Sequence, residues 1–136
     1  MIPLEILTPS GTFFAGEVTS FTVPSAKGPL MIEGGYTPIY EKLLPYGVLK
    51  LTQPSGVRYY ALFAGQLSIE PGQARITCEE IEDGYDIDIA RAIASRDRAQ
   101  DRLSRHDPNL DVGRARASLQ RAVARIAAKS YAEGSE

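Results

Sequence analysis

Residues 79–92, Glu79-Glu80-Ile81-Glu82-Asp83-Gly84-Tyr85-Asp86-Ile87-Asp88-Ile89-Ala90-Arg91-Ala92, are where the chain changes character. Before this stretch, apolar residues stand two apart between turn residues; after it they recur every three or four. Composition breaks at the same place. Residues 1–85 hold eight of the nine prolines and ten of the twelve glycines, whereas residues 86–136 hold eleven alanines and ten of the fifteen Lys and Arg. Charge divides too, with five basic residues against nine acidic before the break and ten against eight after it. Two structural classes share one chain: a β-rich unit over 1–85 and a helical unit over 86–136.

Upstream of the break, short strands alternate with turn chemistry. Ile2, Leu4 and Ile6 alternate with Pro3 and Glu5, a period of two that turns one face inward. Phe21 and Val23 continue the pattern up to Pro24-Ser25-Ala26-Lys27-Gly28. Leu49 and Leu51 flank Lys50, and Pro54-Ser55-Gly56 then signals a hairpin. Val57, Tyr59, Ala61 and Phe63 share one face, with Arg58, Tyr60 and Leu62 on the other. Glu70-Pro71-Gly72-Gln73 makes a further tight turn into Ala74, Ile76 and Cys78. Units this short and regular predict an antiparallel sandwich or barrel.

Downstream, the period becomes helical. Ile89, Ala92, Ile93, Ala99 and Leu103 form one stripe, and Val112, Ala115, Leu119, Ala122, Val123 and Ile126 a second. Pro108, within His106-Asp107-Pro108-Asn109, breaks the run between them. Asp86 or Asp88 suits the cap of the first helix, and Asp107 or Asn109 that of the second. The spacing predicts an antiparallel helical hairpin of roughly three to five turns per arm. Tyr131 to Glu136 reads as a frayed tail. Alanine is the best helix former, so the arms are locally competent helices. A buried alanine nevertheless supplies only a methyl group, at about 0.8 kcal/mol per buried CH₂ unit. Weak docking of the hairpin on the β unit is the expectation.

Several function classes fall away. A net charge of −2 over 136 residues does not suit general nucleic-acid binding. The single Cys78 excludes an intramolecular disulfide and fits a reducing compartment, and a lone His106 removes any metal site needing two imidazoles. His106 falls in the inter-helix turn, a poor place for a positioned general base, so no catalytic residue is assigned. Cys78, beside Ile76 on an inward strand position, reads as packing rather than nucleophile. Gly34-Gly35 lacks the following helix of a phosphate loop. The acidic run 79–83 reads as a solvated linker complementing a helix start, not as a divalent-ion site. MIPLEILTPSG has no basic and apolar leader pattern, and no run approaches a membrane span of roughly 20 apolar residues. Any membrane attachment would run through partners.

One constellation does carry chemistry. Asp88, Arg91, Ser95, Arg98 and Arg102 fall at spacings of three and four, as do Arg114, Ser118, Arg121 and Arg125. An arginine fork matches phosphate or carboxylate oxygens bidentately. The stripes converge on one anion if the arms fold side by side. As solvated faces, they would instead form intrahelical ion pairs, Asp97 and Asp101 neighbouring Arg98 and Arg102.

Taken in order, several segments resemble the epsilon subunit of the F-type ATP synthase, over nearly the whole chain. They are Phe14-Ala15-Gly16-Glu17-Val18, Gly28-Pro29-Leu30-Met31-Ile32 through Gly35-Tyr36-Thr37-Pro38, Ala64-Gly65-Gln66-Leu67 through Glu70-Pro71-Gly72, and Ile87-Asp88-Ile89-Ala90-Arg91-Ala92. The resemblance implies an α+β chain: an N-terminal antiparallel β-sandwich of ten strands followed by a C-terminal antiparallel α-helical hairpin. It implies a non-catalytic rotor subunit on the cytoplasmic face of the bacterial inner membrane. Its sandwich would bind the gamma subunit and the polar loops of the c-ring through Pro29, Leu30, Met31, Ile32 and Tyr36. Its hairpin would extend into the alpha/beta catalytic head to inhibit ATP hydrolysis. No cofactor is required, but ATP enters as a regulatory ligand: Ile87, Asp88, Arg91 and Ala92 match the nucleotide motif, with Glu82, Arg98, Arg121 and Arg125 at the other ligand positions. Tyr36, Pro29 and Tyr40 depart from the His, polar residue and Leu usual in the family, and Glu33-Gly34 breaks its x-Pro pattern. A free-standing ATP-sensing module is the alternative that the same arginines allow.

Overall fold

Alternation of period two becomes strand after strand. The computed structural model describes residues 1–35 and 37–134, so Tyr36 lies outside the described residues, as do Ser135 and Glu136. The strands are β1 (Ile2–Thr8), β2 (Gly11–Val18), β3 (Ser20–Ser25), β4 (Gly28–Ile32), β5 (Ile39–Lys42), β6 (Tyr46–Gln53), β7 (Gly56–Phe63), β8 (Gln66–Glu70), β9 (Gln73–Thr77) and β10 (Glu80–Asp83). They form two five-stranded sheets, ordered β2-β1-β9-β8-β5 and β10-β7-β6-β3-β4. Pairing is antiparallel throughout except between β1 and β9, which run parallel with Leu4 opposite Ala74 and Ile6 opposite Ile76. This pair joins the two ends of the β unit, and no local turn signal could announce it. The Pro71-Gly72 turn between β8 and β9 needs its glycine, whose φ of 78° is left-handed.

Leu4, Ile6, Val18, Phe21, Val23, Ile32, Leu49, Leu51, Leu67 and Ile76 fill the space between the sheets, each at most 1% exposed. Large side chains do this work, each contributing roughly 1.5–3 kcal/mol on burial. Cys78 belongs to this core, 7% exposed, and burial pushes its thiol up to about 11. β7 serves two interiors: Tyr60 and Leu62 point into the sandwich, whereas Ala61 and Phe63 belong to a second, smaller apolar cluster on the outer face.

A single 3₁₀ turn, Gly84–Asp86, follows β10 and leads to α1 (Ile89–Ser104) and α2 (Val112–Gly134). Asp88 caps α1, its carboxylate accepting from the Arg91 amide at 3.1 Å. The second cap differs from the sequence expectation. Asp111 takes it, accepting from the Arg114 amide at 3.0 Å. Asp107 and Asn109 are consumed in a turn around Pro108, where Leu110 N–H donates to the Asp107 carbonyl at 3.1 Å. His106 ends the preceding segment with a φ of 54°.

α2 has 23 residues, more than the three to five turns expected, and it continues to Gly134, into the stretch read as a tail. Tertiary contacts explain the extension. The Tyr131 ring stacks on Tyr59 with centroids 5.3 Å apart, Lys129 Nζ donates to the Tyr85 carbonyl at 2.9 Å, and Ala132 is fully buried.

Candidate functional site

α2 lies between α1 and the sandwich, using two faces. Ala124 and Ala128 sit on Ala61, Phe63 and Ile87, with Tyr46 and Val48 at the margin. Ala115 and Ala122 are buried on the other side, as are Ala92 and Ala99 of α1, which packs on α2 and on neither sheet to a comparable extent. Gly84 makes the closest approach: a Cβ there would lie 2.6 Å from the Ala128 carbonyl oxygen and 2.9 Å from that of Tyr59. The hairpin is therefore seated on its own small apolar patch, apart from the sandwich core. Its alanines add little burial energy each, but rings and charges supplement them more than alanine content suggested.

A cleft of about 380 Å³ opens where β10, the 3₁₀ turn and the two helices meet. Glu82 stands on the strand side, Asp86 and Asp88 beside the turn, Arg91 and Ser95 along α1, and Arg125 on α2; Ile87, Ala92 and Ala122 supply the apolar lining. The i, i+3 and i, i+4 spacing brings Asp88, Arg91 and Ser95 to one wall, as the stripe requires. The volume lies within the range of small-molecule pockets, and the lining offers the guanidinium donors of Arg91 and Arg125 beside the carboxylates of Glu82, Asp86 and Asp88.

Arg125 is tied to the strand as well as lining the cleft. Its Nε–H donates to Glu82 Oε1 at 2.9 Å and its Nη2 to Glu80 Oε1 at 3.2 Å. Arg121, one turn earlier, pairs with the other oxygen of Glu80. Both guanidinium groups lie over the Phe63 ring, at 4.5 Å for Arg121 and 5.1 Å for Arg125. A ring buried by apolar neighbours with cations over its face adds an attraction of about 0.5–2 kcal/mol each. Beyond the cleft, Arg58 pairs with Asp83 and also lies 5.5 Å from the Tyr85 ring centroid; the carboxylate holds its guanidinium above the ordinary range.

Residues 1–84 match the family described as ATP synthase, Delta/Epsilon chain, beta-sandwich domain, and residues 86–130 match ATP synthase, Delta/Epsilon chain, long alpha-helix domain. The chain belongs to the ATP synthase delta/epsilon chain family. Proteins named ATP synthase epsilon chain are similar along almost their full length. That of Natranaerobius thermophilus is 33% identical over 90% of this chain and 88% of the relative. That of Bacillus velezensis is 31% identical over 92% and 94%, and that of Syntrophobacter fumaroxidans 34% over 92% of each. Among solved structures, a chain of the Euglena gracilis mitochondrial ATP synthase OSCP/F1/c-ring assembly shares the fold with a TM-score of 0.78 at 18% identity, over 88% of this chain and 75% of that one. A chain of the Tetrahymena thermophila mitochondrial ATP synthase central stalk/c-ring does so with 0.57 at 14%, over 96% and 95%.

Within this epsilon-type chain, the six residues expected around a nucleotide divide. Glu82, Asp88, Arg91 and Arg125 come together in the cleft. Arg98 points along α1, its Nη2 donating to Ser95 Oγ at 3.1 Å, and Arg121 is on the Glu80 side, outside the lining. Intrahelical pairing takes other arginines than expected: Arg96 with Asp97 at 3.2 Å and Arg105 with Asp101 at 2.7 Å. Asp97 and Asp101 thus leave Arg98 and Arg102 without a carboxylate within 4 Å among the described residues.

The reading of residues 79–83 as a solvated linker is corrected. Residues 80–83 form strand β10, and Glu80, Glu82 and Asp83 each meet an arginine, because pairing with β7 turns Glu80 and Glu82 toward α2. Asp86 and Glu80 were missed as functional neighbours. Their distance in sequence from Arg125 hides the contact, and only alternation along 80–82 hinted at a shared face. On the sandwich, Pro29 and Met31 are exposed on edge strand β4, whereas Leu30 and Ile32 turn to the core. Among the described residues, no group of three or more His, Cys, Asp or Glu is placed to hold a metal ion, and no helix is long and apolar enough to cross a membrane.

Proposed function

We propose that the chain is a non-catalytic epsilon subunit of a rotary F-type ATP synthase, with the sandwich as its attachment to the rotor and the hairpin as a movable regulator of ATP hydrolysis. The sandwich would join the gamma subunit and the polar loops of the c-ring, with exposed Pro29 and Met31 of β4 among the contact residues, and so help couple ion-driven rotation to ATP synthesis. Catalysis would belong to the alpha/beta head, which the extended hairpin reaches. The chain would sit peripherally on the cytoplasmic face of the bacterial membrane, held there by its partners. One observation carries this reading: the hairpin rests on an alanine-lined seat separate from the sandwich core, so it can leave without opening that core.

Two measurements test it. The chain should co-purify with a gamma subunit, and deleting residues 86–136 in the assembled enzyme should raise ATP hydrolysis severalfold. An unchanged rate removes the regulatory role and leaves the attachment. We further propose ATP as the ligand of the cleft, with Arg91 and Arg125 meeting phosphate oxygens and Glu82 and Asp88 accepting from ribose or adenine donors. Arg98 would be recruited from its present position beside it, while Arg121 would stay paired with Glu80. Calorimetry should detect ATP binding to the full chain and its loss in Arg91→Ala; no heat with the unsubstituted chain discards the site and, with it, the free-standing sensor.

A further inference from the structure

The arginine that lines the cleft is already occupied. Arg125 is shared between Glu82, which belongs to the cleft, and Glu80, which does not. Glu80 is fixed in place from the other side by Arg121, so its two carboxylate oxygens bridge two guanidinium groups one turn apart on α2. Phe63 lies beneath both arginines. These side chains are only partly exposed, Arg125 at 26% and Glu80 at 38%, so screening weakens the attraction without abolishing it.

We propose that Glu80 is an internal competitor for the ligand of this cleft: its carboxylate holds the Arg125 donor that a phosphate oxygen would otherwise take. The inference rests on the reading of the cleft as a phosphate site. A carboxylate and a phosphate each offer paired oxygens to a guanidinium fork, so the Nη2 that now lies 2.8 Å from Glu82 and 3.2 Å from Glu80 can give up the longer contact to a phosphate oxygen. Glu82 differs in role, because its place in the lining lets it stay with the ligand. When an anion arrives, Arg125 exchanges Glu80 for the ligand, and Glu80 remains with Arg121. Affinity is thereby set below what the arginines alone would give, and the free chain keeps α2 tied to β10 while the cleft is empty.

Calorimetric titration of the full chain with ATP, and separately with inorganic tripolyphosphate, tests this. Glu80→Gln should bind both about fivefold more tightly, the size of one half-exposed ion pair, whereas Glu79→Gln, one residue away and clear of the arginines, should match the unsubstituted chain. Tripolyphosphate must share the gain, because the competition is for a phosphate oxygen and not for the base. In an Arg125→Gln background the Glu80→Gln gain should vanish, since the contested donor is gone; a purely structural effect of Glu80 would persist there. Equal or weaker binding by a folded Glu80→Gln, or a gain that survives in Arg125→Gln, overturns the proposal. Absence of heat in the unsubstituted chain and all variants overturns the cleft reading itself. Binding by the unsubstituted chain without a Glu80→Gln gain overturns only the competition.

Discussion

The sandwich and the hairpin are built from different side chains, and that difference sets how each can fail. Between the sheets, Phe21, Leu4, Ile6 and their neighbours interlock with almost no exposure. Beneath α2, the contacts are mainly alanine methyls, one phenylalanine ring and half-exposed charges. A core of large apolar groups is lost all at once, because each side chain leaves a cavity that its neighbours cannot close. A seat of small groups and ion pairs gains less from each buried side chain, so each contact costs less to lose. The proposed movement of the hairpin would draw on this difference in composition.

The sharpest way to widen this contrast is Phe21→Ala, which should cost about 3–5 kcal/mol of global stability, read from the denaturant midpoint. A cost below about 1 kcal/mol would show the sandwich core to be looser than its burial implies. Gly84→Ala should come next, at about 1–3 kcal/mol, because the new methyl meets two backbone carbonyl oxygens that cannot rotate away. Its signature is regional: faster amide exchange in α1 and α2 with protection retained in β1, β3 and β6. Uniform loss of protection would mean that the two regions unfold as one.

Alkaline pH should then weaken the sandwich and spare the seat. Burial raises the Cys78 thiol from 9.0 to about 11, and burial and the nearby Asp83 raise Tyr60. A group raised in the folded state lends its stability fully below the unfolded value and loses it as pH climbs through the folded one. The denaturant midpoint should therefore fall between about pH 9 and 11, and Cys78→Ala should flatten that fall. Tyr131→Ala is the mildest probe: losing the stack on Tyr59 should cost about 0.5–1.5 kcal/mol, seen as fraying of the last turns of α2. No change in exchange there would make the stack incidental.

Much of this was legible in the residues. Alternation around Ile2, Phe21, Leu49 and Ile76 places the strands, and turn residues at 54–56 and 70–73 place the hairpins, because both signals are local. The arginine spacing likewise foretold the wall formed by Asp88, Arg91 and Ser95. Other features were out of reach for a physical reason. The cap at Asp111 depended on the turn geometry around Pro108, and the helical conformation at Tyr131 on a ring 72 residues away at Tyr59. Arg98 and Arg121 share the spacing of the cleft residues but not their neighbours, since spacing fixes the face of a helix and not what is opposite it.

The amino-acid order determined by itself that the first part would be pleated and the second helical, and which stripes are apolar. Backbone sterics and side-chain periodicity act within a few residues, so they are written in the chain. Tertiary structure alone decided that β1 lies parallel to β9, that α2 rests on β7, and that Glu80 and Glu82 face Arg121 and Arg125. Those partners stand some forty to seventy residues apart, and pairing at that range is selected by the burial of the assembled whole rather than by any local preference.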